Sequence, residues 1–253
     1  MGKQGKKKRI WLRVLLGILA ALLLVIIGYV LYVMISYHRL PDDLTLDVRT
    51  PENADITGTV SVGTDYEIIT YNIGFGAYTP DYSFFMDGGK SSVAASKESV
   101  LATVSGAGEL AAGYDPDFMI FEEVDLKATR SYHVDEYELL DKYFGGYYSD
   151  FAINYDSAFL MVPPWEPHGK SLAGIAFYSK YPIASAVRKS FPISTSFSKF
   201  LDLDRCYSIS RIPADNGKEL VIFSLHMSAY GNSDAIREAQ ISKLCGDMQA
   251  EYE

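Results

Sequence analysis

Acidic side chains are absent from the first forty residues, which carry seven basic ones: Lys3, Lys6, Lys7, Lys8, Arg9, Arg13 and Arg39. Basic residues are then in short supply. Residues 41–253 hold 16 of them against 32 acidic, so the formal charge of −9 combines a basic N-terminal segment with a body at −16. Such a body is a poor general polyanion binder, because that affinity comes from Lys and Arg neutralising phosphates; a local basic site stays open. Cysteine is scarce as well. Cys206 and Cys245 form no C-x-x-C or Cys/His metal pattern, and they fall on a predicted strand and a predicted helix that sequence cannot bring together. P-loop, H-E-x-x-H and G-x-S-x-G motifs are missing, as are internal repeats and low-complexity tracts. Disorder is excluded by an apolar content of 48% and by 19 tyrosines, and the chain after residue 60 is long enough to bury one sizeable core.

From Val14 to Ile35 the chain has a run of 22 residues without a charge. As a helix rising about 1.5 Å per residue it matches the roughly 30 Å hydrocarbon core of a bilayer. Its length, with Tyr29, Tyr32 and Tyr37 at its exit, favours an uncleaved membrane anchor over a cleaved signal peptide, whose apolar stretch runs about 7–15 residues. Lys6, Lys7, Lys8, Arg9 and Arg13 precede it and only Arg39 follows closely, so residues 1–13 are expected in the cytoplasm and the remainder outside it, at the cell membrane.

Residues 36–65 lack periodicity and contain Pro41, Pro51, Gly58 and Gly63, which predicts a stalk leading into a domain at 66–253. Strands are predicted at 66–72, 118–124, 174–179 and 182–187, and at 206–212 and 219–225 around the hairpin signal Asp215-Asn216-Gly217. A helix is predicted over 97–112, with Val100, Leu101, Val104, Ala107 and Ala111 at helical spacing. Another is capped by Asn232 and carries Ile236, Ala239, Leu244 and Met248 along one face. The pattern is that of an α+β domain.

Polar residues gather at strand ends: Asn72 closes the first strand, Glu122 and Glu123 close the buried one, and His226 follows the hairpin. If the strand continues through them, the two acids point to opposite faces, and one buried without a partner would cost several kcal/mol. Taken singly, an Asn at a strand end is usually a turn former and a lone His a satisfied residue of core or surface. Together, Asn, Glu and His suit a hard divalent cation and a phosphate, since Mg²⁺ takes one or two carboxylates and keeps several waters.

Six fragments stand in a fixed order: Thr70-Tyr71-Asn72; Glu122-Glu123-Val124; the run 174–183, GIAFYSKYPI; Arg205; Ser224-Leu225-His226-Met227; and Arg237-Glu238-Ala239-Gln240. In that order they resemble the landmarks of the endonuclease/exonuclease/phosphatase superfamily, the DNase I-like fold, over residues 66–253. The resemblance implies a two-sheet sandwich flanked by helices and metal-dependent phosphoester hydrolysis with Mg²⁺ or Mn²⁺. It implies Glu123 as the acidic metal ligand and Asn72 as support for the metal or phosphate. His226 would hydrogen-bond the scissile phosphate, and Arg205 and Tyr155 would lie on the phosphate side, although no local motif fixes Tyr155. Glu122 stands where the family has Gln, a departure that adds negative charge.

A second departure is larger. The family's G-D-F-N and S-D-H motifs, which supply a catalytic Asp and Asn and the Asp and His associated with activating water, are not among the 253 residues. Gly246-Asp247-Met248 falls inside the predicted C-terminal helix and lacks the following Phe-Asn. The expectation is therefore a domain lacking its C-terminal part and incomplete for catalysis, from a membrane-anchored extracytoplasmic phosphohydrolase acting on a lipid head group or a small phosphoester. An extracytoplasmic nuclease is the enzymatic alternative, and a non-catalytic membrane-anchored binding domain the alternative from another class.

Overall fold

The structure, a computed structural model, describes residues 3–37, 39–52, 56–196, 199, 203–227 and 234–252. It divides into two units, Met1–His38 and Arg39–Glu253. In the first, helix α1 runs over Lys3–Ser36 and contains the predicted apolar run. Within it, Arg9–Ser36 is long and apolar enough to cross a membrane, with a mean hydropathy of 3.0 over an 18-residue window.

The second unit is the α+β two-sheet architecture that the sequence predicts. One sheet has the order β2-β3-β5-β4, from Ile68–Asn72, Phe118–Asp125, Leu172–Ser179 and Tyr148–Asp156. The other has the order β1-β6-β7-β8, from Leu44–Thr45, Ser185–Ser190, Cys206–Pro213 and Glu219–Leu225. All pairings are antiparallel except β2 with β3. Alternation along each strand sorts side chains into layers. Met119, Phe121, Ala176 and Tyr178 face helices α2 (Lys97–Ala112) and α3 (Glu136–Phe144), meeting Val100, Val104, Leu140 and Phe144. Phe118, Ile120, Ile175 and Phe177 face the other sheet, meeting Ala186, Cys206 and Ile212. Beyond that sheet, Tyr207 and Ile209 pack towards helix α4 (Asp234–Tyr252) through Leu244. Ser96 caps α2 by accepting from Ser99 N at 3.1 Å, and Asp135 caps α3 by accepting from Glu138 N at 3.0 Å.

Several expectations change. Residues 36–65, expected as a stalk, are partly woven into the domain: β1 pairs with β6, Arg49 bridges the backbone of Ser149, and buried Val60 bridges Ala214. Fully buried Arg188 anchors this segment, donating to Ile153 O, Pro41 O, Ser190 Oγ and Asp204. The strand predicted at 182–187 lies at Ser185–Ser190. Helix α3 and strand β4 were not predicted, and the Asn232 cap lies outside the described residues. The inward face of α4 is more polar than predicted. Gln240 is buried and donates to Pro192 O, Tyr207 donates to Asp247, and Arg211 pairs with Glu251, while Met248 is exposed. Gly246-Asp247-Met248 is helical, as expected. Cys206 is buried and Cys245 exposed, both as free thiols.

Asp150 of β4 is buried between the sheets, with Oδ2 accepting from Ser210 Oγ at 2.6 Å and Oδ1 unpaired. Burial pushes its pKa up to about 7 against the opposing Ser210 bond. The folded state thus keeps a proton that the unfolded chain releases near 3.8, so this group's contribution to stability falls as pH rises from 3.8 to about 7 and is level above. The limiting slope is about 1.4 kcal/mol per pH unit. Asp150→Asn is expected to remove that slope and raise the melting temperature at pH 8, read by thermal unfolding of the full chain in detergent.

Candidate functional site

Strands β2 and β3 run parallel, and their register sets Asn72 beside Glu122 at the same end of the sheet. At this point β3 departs from simple alternation. Phe121 pairs with Ala176, but the next paired residue is Val124, opposite Gly174, so β3 has one extra residue there and Glu123 takes φ +56°. Val124, instead of Glu123, follows Met119 and Phe121 into the helix-facing core. The two acids are thereby released from the strict two-face rule expected of them. On the other side of the same glycine β4 also carries an extra residue: Ile153 pairs with Gly174 and Tyr155 with Ala173, leaving Asn154 between.

These irregularities bring the predicted residues together. Asn72 Nδ2 donates to Glu123 Oε1 at 3.1 Å, and Asn72 Oδ1 accepts from Gly74 N at 2.9 Å. The donor-only Gly74 amide and the acceptor-only carboxylate fix the same orientation of the Asn72 side chain. Asn72 is therefore placed to hold Glu123, and its oxygen already accepts one hydrogen bond, from Gly74. His226 follows β8, its backbone N–H donating to Cys206 O at 3.4 Å. Its Nε2 lies 3.6 Å from Glu123 Oε1, and its Nδ1 3.5 Å from Asn154 Nδ2. The Asn154 amide and the Glu123 carboxylate thus face the two ring nitrogens of His226, one each. Asn154, missed as a site residue although adjacent to Tyr155, lies beside His226.

Glu122 turns elsewhere, accepting from Thr70 Oγ1 at 2.8 Å. Burial raises its pKa first, the Thr70 bond opposes this, and the charge of Glu123 adds to the rise.

Arg205 is buried one residue before Cys206, at the same end of the sandwich as His226. Tyr155 is buried and belongs to a second group that the sequence did not reveal. Arg130, in the turn after β3, makes a buried two-pronged ion pair with Asp125, Nη2 to Oδ1 at 2.8 Å and Nε to Oδ2 at 3.0 Å. Its guanidinium lies 4.0 Å from the centre of the Phe75 ring and 5.5 Å from that of Tyr155. Burial alone would lower the Arg130 pKa; Asp125 and then Glu123 outweigh it and hold the charge. Glu136 Oε2 accepts from Asp125 N at 2.8 Å, and burial followed by the Asp125 charge pushes Glu136 well above the usual range. A signal for this group existed in sequence: Asp125 continues the E-E-V run, and Gly74-Phe75-Gly76 forms a left-handed turn, φ +54°, +43° and +64°.

A cleft of about 350 Å³ opens on Asn72 and Glu123, lined also by Tyr71, Gly74, Tyr78 and Thr103. Among the described residues no three His, Cys, Asp or Glu side chains converge to hold a metal by themselves. The donor set is one carboxylate with an amide and an imidazole beside it, and the carboxylate and the amide line the cleft. That set fits a hard cation that keeps most of its waters.

No family model matches the sequence, and no curated protein does. Among solved structures the chain is similar to an endonuclease/exonuclease/phosphatase from Beutenbergia cavernae DSM 12333, at 17% identity and a TM-score of 0.48, over 70% of this chain and 42% of that one. It is similar to ANGEL2, a 2′,3′-cyclic phosphatase, at 12% identity and a TM-score of 0.48, over 82% of this chain and 50% of that one. It is also similar to sphingomyelinase C from Streptomyces griseocarneus, at 13% identity and a TM-score of 0.43, over 74% of this chain and 60% of that one. The chain spans about half the length of these structures.

Gly174 is where the two strand irregularities meet, and a Cβ there would lie 2.3 Å from Ala152 O and 2.5 Å from the Phe151 ring. Gly174→Ala is expected to destabilise the domain by about 1–3 kcal/mol, as overpacking does, and chemical denaturation of the variant checks it.

Proposed function

We propose that this chain carries the metal- and phosphate-binding part of a membrane-anchored, extracytoplasmic phosphoester hydrolase of the endonuclease/exonuclease/phosphatase superfamily. The observation that carries the reading is the Glu123 carboxylate held between the Asn72 amide and His226 at a cleft. The six motif fragments in order support it, and the apolar helix with its basic N-terminal flank supports the anchor and its orientation.

Glu123 would hold Mg²⁺ or Mn²⁺, and the bound cation supplies Lewis-acid stabilisation of charge on phosphoryl oxygens. Asn72 fixes the Glu123 carboxylate in the orientation a ligand needs, at the entropic advantage of a group already held. His226 would hydrogen-bond a phosphoryl oxygen bound beside Glu123. Arg205, and Arg130 with Tyr155 behind the site, add fixed positive charge and donors on the phosphate side. The body at −16 disfavours tracking along nucleic acid, so a lipid head group or a small phosphoester is the substrate class. The Asp, Asn and His that the resemblance adds for water activation are not among these residues, so metal binding is the quantity to measure on this chain.

Mn²⁺ titration of the full chain in detergent, followed by electron paramagnetic resonance, tests the reading. Glu123→Ala should abolish the saturable site. Asn72→Ala should weaken it about 10–100-fold, the size seen when a partner orienting a ligand is lost. Glu122→Gln should leave it in place. Equal Mn²⁺ binding by wild type and Glu123→Ala overturns the proposal.

A further inference from the structure

Between β4 and β5 the chain makes an excursion over residues 157–171 whose backbone is stapled throughout. Leu160 and Gly169 exchange both amide bonds at 3.0 Å, His168 N donates to Val162 O at 3.0 Å, and Ser157 N to Ser171 O at 3.0 Å. Its inner side is fastened to the domain: Leu160 and His168 are buried, His168 Nδ1 lies 3.0 Å from Ser92 O, and Ser92 N donates to Glu166 Oε2 at 2.7 Å. Its outer side is apolar and turned to solvent. Trp165 is 74% exposed, Met161 47%, Phe159 39% and Val162 36%. Trp165, the most exposed of them, is a large aromatic side chain turned to water at the end of a stapled turn, and an exposed apolar patch of this kind marks an interaction surface.

Charge narrows the partner. The loop's acid, Glu166, is engaged with Ser92, whereas Lys170 is exposed. Exposed Lys127 lies close by, because Thr129 N donates to Lys170 O at 2.7 Å. The loop thus pairs an aromatic and aliphatic tip with two exposed lysines at its base, the composition that settles at a lipid headgroup boundary. A tip of four side chains is too small for a stable protein interface of about 1,000 Å² or more. It suffices for a domain already tethered to a bilayer, where the second contact is effectively intramolecular. The apolar run ends at Ile35 and the first laddered residue is Leu44, an interval that reaches at most about 30 Å.

We propose that loop 157–171 is a membrane-surface contact, with Trp165, Met161 and Val162 seated at the headgroup boundary and Lys127 and Lys170 against lipid phosphates. This rests on the membrane-anchor reading and not on the Glu123 site. On its inner side His168 lies 6.3 Å, ring centre to ring centre, from Tyr155. The contact would therefore hold the phosphate side of the site near the lipid surface.

The chain has two tryptophans, Trp11 and Trp165, which separates the two readings. Full-length Trp11→Phe and Trp165→Phe proteins are reconstituted into vesicles of phosphatidylcholine and phosphatidylserine carrying bromines high on the acyl chains. Trp11, alone in Trp165→Phe, should be quenched as a reporter of the anchor. Trp165, alone in Trp11→Phe, should lose about half its emission, as a ring at the headgroup boundary would, and Lys127→Glu with Lys170→Glu should restore most of it. Quenching of Trp11 without quenching of Trp165 overturns the loop contact and leaves the anchor intact. Absence of both overturns the anchor and the contact with it. Protection of Trp165 from acrylamide without bromine quenching assigns the patch to a protein partner or a second copy and also overturns the proposal.

Discussion

Close approach of backbone to backbone at Gly174 governs the candidate site. With no side chain there, β3 and β4 each fit an extra residue beside β5, at Glu122–Glu123 and at Asn154. Each bulge turns a polar side chain out of the ladder that would otherwise bury it or point it away. Glu123 meets Asn72 and His226 on one side of the glycine, and Asn154 meets His226 from the other. The site is thus a property of sheet register, set on strands whose neighbours hold them in place.

Beneath it lies a buried ionic group of Asp125, Arg130 and Glu136. A buried charge pair is costly unless its hydrogen bonds are satisfied, and here the fork of Arg130 meets both Asp125 oxygens while its face rests on Phe75. Phe75 accepts a left-handed backbone to lie there, between two glycines that share the strain. The arrangement connects the loop after β2, the turn after β3 and Tyr155 of β4, and it places a permanent positive charge within electrostatic reach of Glu123.

Much of the fold was legible because its signals are local. The Asn-Gly hairpin, the apolar β3 and the spacing of Val100, Val104, Ala107 and Ala111 each declare an element within a few residues. Strand β4 escaped notice because its sequence YSDFAINYD places Asp150 and Asn154 in interior positions, where no alternation of apolar and polar residues survives. Helix α3 is short and strongly charged at its start, so its periodicity is brief. The face of α4 was misjudged because its docking uses Gln240, Asp247 and Glu251, whose partners lie about 40 or more residues away in sequence.

By itself the sequence determined the apolar helix, the separation of charge between the two ends and the α+β order, and it singled out Asn72, Glu123 and His226 as candidates. These follow from periodicity, composition and motif order, which are properties of neighbours along the chain. Tertiary structure alone decided that Asn72 presents its amide nitrogen to Glu123, that Asn154 lies beside His226, and that Arg130 stands within electrostatic reach of Glu123. It also set apolar side chains on the outside of loop 157–171. Those outcomes depend on cross-strand register and on which buried polar groups find partners, and both are settled only when segments distant in sequence pack together.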